Sequence, residues 1–205
     1  MIGFYNYTVW LTFIGMLSSV VGIGLAAGGN VTAAVICLMF SGFCDMFDGI
    51  VARTKKDRTD EEKRFGIQLD SLSDVVCFGV LPFVIGVKVG ADAWWQIAIM
   101  ALFALAGLIR LAYYNVTEET RQKQTDEKRK HYLGVPITTS ALSVPLMFCF
   151  KGFMSTDAFG IAYTLLLLVN GALFITPVQV KKPTKSGLIV MFVLGVIFTA
   201  LILIF

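Results

Sequence analysis

Four carboxylates stand where the surrounding chain is otherwise apolar: Asp45 and Asp48 in FCDMFDGIVART (43–54), and Asp70 and Asp74 in GIQLDSLSD (66–74). Asp45, Asp48, Gly49 and Ala52 are related by steps of three and four, so on a helix they share one face. Gly66, Asp70 and Asp74 form a second such row. The small residues beside the acids let backbones and a ligand come close. Carboxylates gathered on one pocket cannot all ionise without a cation between them. The donors are oxygen only and the single His131 falls in a loop, which selects hard ions such as Mg²⁺ or Mn²⁺ over zinc or copper. Two such ions held about 3.5–4 Å apart are the usual device for displacement at phosphorus.

The elements that carry these acids must cross a bilayer. The 205 residues are 57% hydrophobic and only 15% charged, with a mean hydropathy of +0.77. One soluble core could not bury that much apolar surface. The expected fold is an all-α, polytopic membrane bundle in a single domain, 1–205. On a ruler of roughly 20 apolar residues per span, candidates run near 8–28, 31–52, 67–90, 93–116, 135–151, 157–177 and 186–205. The fifth is short and the last two are compatible with a hairpin, which makes six to eight spans.

Depth places the acids together. An Asp near the middle of a span costs roughly 2.5–3.5 kcal/mol on insertion scales, so four of them need partners. Asp48 lies five residues before Arg53, and Asp70 five residues after Phe65. At the helical rise both sit roughly 7–8 Å inside their helix ends, so they face each other at one level. Buried ion pairs with Arg53 or Arg64 are the plainer alternative, but four acids outnumber the bases at that depth.

Lys and Arg set the orientation, because they accumulate on the cytoplasmic side of short loops. Fourteen of the 17 basic residues fall in 53–65, 117–134 and 178–187, which are alternate connections. The opposite connections hold only Lys88 and Lys151, and Arg110 lies within a span. The N-terminus is therefore expected in the cytoplasm. The net charge of +3 reads as a topology signal or a grip on anionic headgroups, and nucleic acid is not an expected partner. The N-terminus lacks a basic n-region, so the first run is expected to be retained as a span although LAAGG (25–29) offers small residues for cleavage. Cys37, Cys44, Cys77 and Cys149 lack metal-ligand spacing and are expected to be inert.

The pattern Asp45-x₂-Asp48-Gly49-x₂-Ala52-Arg53, then twelve residues, then Gly66-x₃-Asp70-x₃-Asp74 resembles the signature of the CDP-alcohol phosphotransferases. The resemblance implies a helical membrane enzyme, homodimeric and metal-dependent, with a site open to the cytosol. Such an enzyme attacks the diphosphate of a CDP-linked lipid with a hydroxyl and releases CMP. By the same resemblance Asp45, Asp48 and Asp70 are metal ligands, and Asp74 is the catalytic base that also touches metal. Asp45, Gly49, Ala52, Arg53, Gly66 and Asp70 fall where the family holds the cytidine diphosphate. The twelve-residue spacer is a few residues longer than the family's usual gap.

QLDSLSDVVCFGVLP (68–82), Arg110 to Val116 and Gly134-Val135-Pro136 are similar to the serine-using branch of that family in bacteria and archaea. This implies CDP-diacylglycerol and L-serine as substrates in a prokaryotic cell membrane. Inositol phosphate or glycerol phosphate as acceptor is the alternative, and a cation transporter a remoter one. Depth arithmetic puts Arg110 about 9 Å and Thr138 about 6 Å inside their helix ends, level with the acids. Arg110, Asn115, Thr138 and Thr139 are therefore expected to meet the acceptor or a phosphate, with a guanidinium suited to bidentate contact. Snorkelling of Arg110 and interhelical hydrogen bonding of the hydroxyl cluster are the competing structural roles.

Overall fold

The computed structural model describes residues 2–124, 131–181 and 185–204. Its helices are α1 (Trp10–Ala27), α2 (Val31–Ala52), α3 (Asp60–Asp74), α4 (Leu81–Lys88), α5 (Trp94–Gln124), α6 (Ser140–Phe148), α7 (Thr156–Ile175) and α8 (Lys185–Ile204). Five helical stretches among the described residues are long and apolar enough to cross a membrane: Tyr7–Ala27, Val31–Ala52, Asp60–Lys88, Trp94–Arg121 and Thr156–Ile175. Two shorter apolar helices, Ile137–Phe148 and Val193–Ile202, fall at the fifth and seventh expected spans. The chain is a polytopic helical membrane protein.

Helix ends follow local chemistry. Asn30 Oδ1 accepts from the Ala33 N–H at 3.2 Å, which starts α2 almost as soon as α1 stops and folds the two into a close antiparallel pair. The third span begins seven residues earlier than hydropathy alone predicts, because Thr59 and Glu62 form a capping box. Thr59 Oγ1 accepts from Glu62 N at 3.2 Å, and Glu62 Oε2 accepts from Thr59 N at 3.0 Å. Asp60, Glu61 and Glu62 fill the first turn, where the helix dipole favours negative charge. At the other extreme α5 runs eight residues past the expected end at 116, carried by the Arg121–Glu118 pair at 2.6 Å.

α3 does not stop at Asp74. It continues through a π-helical turn, Val75–Val80, into α4, so Asp60–Lys88 is one rod. Pro82 has no N–H to give to the carbonyl four residues back, that of Phe78. The fully buried Ser140 supplies the missing donor, its hydroxyl reaching Phe78 O at 3.1 Å. Tyr163 of α7, also fully buried, donates to Pro82 O at 2.8 Å. Around this turn Phe78, Leu81, Ile85, Met100, Phe103 and Tyr163 form the centre of the core.

Two glycines fix close approaches that no other residue would permit. Gly134 has φ +75°, and a Cβ there would lie 2.5 Å from Phe174 O. A Cβ on Gly42 would lie 2.6 Å from that of Ala141, so α2 and α6 meet backbone to side chain.

The connections rich in Lys and Arg lie on one end of the bundle, as their alternation predicts. Arg64 of α3 pairs with Glu119 of α5 at 3.0 Å. Strands β1 (His131–Leu133) and β2 (Gln179–Lys181) pair antiparallel, with Tyr132 opposite Val180. This two-stranded ladder is an addition to the all-α expectation, and it joins the connections before α6 and before α8. Asn6 Nδ2 donates to Glu62 Oε1 at 3.0 Å, and the Tyr7 and Thr54 hydroxyls bond at 3.0 Å, which brings the N-terminal segment to the same end. Lys128, Arg129, Lys130 and Lys182, part of the basic count, lie outside the described residues.

Candidate active site

The antiparallel α2 and α3 bring the acids together. Asp45, Asp70 and Asp74 each offer a carboxylate oxygen, and the three oxygens lie within 4.8 Å of one another. Asp48 is not in that trio. It is buried, at 9% exposure, and accepts from Thr12 Oγ1 of α1 at 3.1 Å while its carboxyl meets that of Asp70. All four acids line a small cleft behind the trio together with Thr12, Gly15 and Cys77. Thr12 is a site residue the sequence did not reveal. A lone threonine in an apolar span has no spacing relation to an aspartate 36 residues on.

In front of the trio opens a cavity of about 1490 Å³. Asp45, Asp70, Asp74, Arg110, Asn115 and Thr138 line it, and Arg53 stands at its rim. Asp48, Gly49, Ala52, Gly66 and Thr139 do not line it. Arg110, at 8% exposure, projects from α5 and is near enough to act electrostatically on Asp45 and Asp74. Its guanidinium carbon is 5.9 Å from the Tyr114 ring centroid. Asn115 Nδ2 donates to Ser71 Oγ at 2.8 Å, which links α5 to α3 one residue beyond Asp70. Away from the acids the wall turns apolar, with Ile36, Met39, Phe40 and Phe43 from α2 and Met191 and Val196 from α8.

The glycines of the two rows have open faces. Nothing lies within 4 Å of a Cβ built on Gly49, and on Gly66 the nearest atom is Arg58 Nη1 at 3.8 Å. Arg64, one of the alternative partners for the acids, is engaged with Glu119 instead. The four cysteines are free thiols.

The donor set fits hard divalent metal. Three carboxylates from two facing helices converge at ligand spacing, all donors are oxygen, and a fourth carboxyl stands beside them. Carboxylates at this depth are costly unless a cation compensates them.

Membrane-crossing helices that enclose an acid trio at the head of a mixed polar and apolar cavity define the class: an integral membrane protein with an intramembrane acidic site. The chain belongs to the CDP-alcohol phosphatidyltransferase family, whose model matches residues 5–178. It is 37% identical over 113 residues to a CDP-diacylglycerol–serine O-phosphatidyltransferase of Saccharomyces cerevisiae, covering 54% of this chain and 40% of that protein. A protein of the same description from Helicobacter pylori J99 is 34% identical over 145 residues, covering 68% and 54%. An archaetidylserine synthase of Methanothermobacter thermautotrophicus is 28% identical over 178 residues, covering 86% and 70%. The chain thus spans about half the length of the first two of these relatives.

Proposed function

We propose that the protein transfers the phosphatidyl group of CDP-diacylglycerol to L-serine, giving phosphatidylserine and CMP. The observation that carries this reading is the Asp45, Asp70 and Asp74 trio at the head of a cavity with a cationic and amide-bearing side and an apolar wall. Such a cavity suits a ligand with a charged diphosphate and an acyl body. The choice of serine is supported by the descriptions of the relatives.

Asp45, Asp70 and Asp74, with Asp48 beside them, would hold two Mg²⁺ or Mn²⁺ ions. When bound, the metal would neutralise the diphosphate and polarise the phosphorus under attack. Asp74 Oδ takes the proton of the serine hydroxyl, whose oxygen attacks the lipid-side phosphorus. The bond to the bridging oxygen breaks, and CMP leaves with the electron pair. Thr12 holds Asp48 in place through its hydrogen bond. Gly49, Ala52 and Gly66 leave room for the nucleotide, and Arg53 meets phosphate at the rim. Arg110 pairs with the serine carboxylate or a phosphate oxygen, which its planar fork suits. Asn115 and Thr138, which line the cavity, complete the acceptor side.

The same reading places the protein in a prokaryotic cell membrane, with the N-terminus and the cavity mouth facing the cytoplasm. The basic connections gathered at that end support this orientation. A homodimer belongs to the reading too, and its mass in detergent checks it.

The test is CMP release by purified protein supplied with CDP-diacylglycerol, Mg²⁺ or Mn²⁺, and a panel of alcohols. Release with serine is the expected result. No release with any acceptor would remove the transferase reading, and release with glycerol phosphate or inositol phosphate but not serine would remove the serine assignment.

A further inference from the structure

Residues 53–65, the connection after α2 together with the start of α3, carry six basic side chains, and the structure uses them differently. Lys55 pairs with Glu62 at 3.1 Å, Lys63 with Asp60 at 3.0 Å and Arg64 with Glu119 at 3.0 Å. Arg53 and Lys56 are exposed. Arg58 is different: half-buried, it folds back over α3, with Nη1 3.8 Å from where a Gly66 side chain would begin. Its Nε is shut off from solvent and has no hydrogen-bond partner among the described residues. A donor removed from water with nothing to bond is costly, and on a guanidinium the natural complement is an anionic oxygen.

The position says which anion. Gly66 is one helical turn before Asp70 on the same face, so the Arg58 guanidinium stands about 6 Å from the acid level toward the helix start. Next to it Gly66 presents no side chain, and on the facing helix Gly49 has open space around it, so this open strip lies beside the cavity, whose lining includes none of the three residues. The connection is braced so that Arg58 is held in place. The Thr59–Glu62 capping box closes just after it, Glu62 also accepts from Lys55 and Asn6, and Thr54 is bonded to Tyr7.

We propose that Arg58 binds the nucleotide-side phosphate of the CDP group, as the outer cationic contact of a diphosphate whose other phosphate lies at the acids. The inference rests on the transferase reading. It adds a residue from the long 54–65 connection, outside the residues that carry the family resemblance. Arg58 recognises the phosphate of the departing CMP and makes no contact with the acceptor. Its loss therefore weakens nucleotide and leaves serine alone.

The test is isothermal titration of CMP, with cytidine as the phosphate-free control, into the full chain in lipid-free detergent. KM values for CDP-diacylglycerol and serine are measured alongside. Arg58→Gln is expected to weaken CMP roughly 10- to 100-fold, the range for a hydrogen bond to a charged group. It is also expected to raise the KM for CDP-diacylglycerol, with cytidine binding and the KM for serine unchanged. Lys56→Gln, on the same connection, is expected to bind CMP as the wild type does. Wild-type CMP affinity in Arg58→Gln would overturn the proposal, as would a defect seen only with phosphatidylglycerol vesicles, which would make Arg58 a headgroup contact. If Arg58→Gln does not fold, Arg58→Lys decides: it keeps the charge without the fork, so weaker CMP binding supports the contact and wild-type binding overturns it. Failure of the wild type itself to bind CMP would instead count against the transferase reading.

Discussion

At the scale of single residues, charge that lipid disfavours is gathered into one place and each member is given a different neighbourhood. Asp74 is 8% exposed yet faces the cavity, and in the proposed transfer it is the group that takes the hydroxyl proton. Asp74→Asn is expected to keep the fold and lower turnover at least 100-fold, the lower range for loss of a general base. Steady-state CMP release beside an unchanged thermal midpoint checks this, and wild-type rates would remove the role. Thr12→Val keeps the volume but removes the donor to Asp48. About a tenfold loss of turnover is expected, in line with a hydrogen bond to a charged group, and unchanged kinetics would make that contact incidental. The acids were legible in the sequence because their own spacing and the cost of burying them point the same way. Thr12 was not, since its hydrogen bond to Asp48 joins residues 36 apart in the chain and is made by tertiary packing. Asp48 lies beside the trio of Asp45, Asp70 and Asp74 and accepts a hydrogen bond from Thr12 of α1.

At the scale of elements, backbone chemistry explains where hydropathy misjudged the boundaries. A hydropathy ruler starts α3 at the first apolar residue, whereas the capping box starts it in the polar connection, at Asp60. The same ruler ends α5 where charge begins, although charged residues three apart continue a helix well. The β1–β2 ladder was invisible because each strand has only three residues and no alternating pattern. It depends on Gly134, whose N–H donates to Val178 O at 2.8 Å as the chain turns into the fifth apolar segment. Gly134→Ala would strain φ and press on Phe174 O, for a cost of about 1–3 kcal/mol. The expected outcome is a lower thermal midpoint in detergent with the ladder as the weak point; an unchanged midpoint would show that the backbone relaxes there.

At the scale of the whole molecule, a simple count of Lys and Arg anticipated which connections share an end of the bundle. The Arg64–Glu119 pair, the ladder and the N-terminal contacts to Thr54 and Glu62 realise that grouping physically. Which end faces the cytoplasm is settled by chemistry in vesicles. In a background with the four cysteines replaced, an impermeant maleimide outside right-side-out vesicles is expected to label Asp157→Cys at once. Lys56→Cys is expected to react only after permeabilisation, and the reverse pattern would invert the orientation. The wall that α8 lends to the cavity was beyond sequence reasoning, since an evenly apolar helix does not announce which neighbour it covers.

The π-helical turn after Asp74 gives the third span two azimuths instead of one. Upstream of it, rotation about the helix axis is set by α2 and the acids; downstream, by Tyr163 and Met100 in the core. Like a vernier between two scales, the extra residue lets each half settle at its own angle. Deleting one residue within 75–80 would restore a uniform helix of the same hydropathy and swing one half by about 100° relative to the other. The span would still cross the membrane, but the acids and the core would no longer both be in phase with their partners.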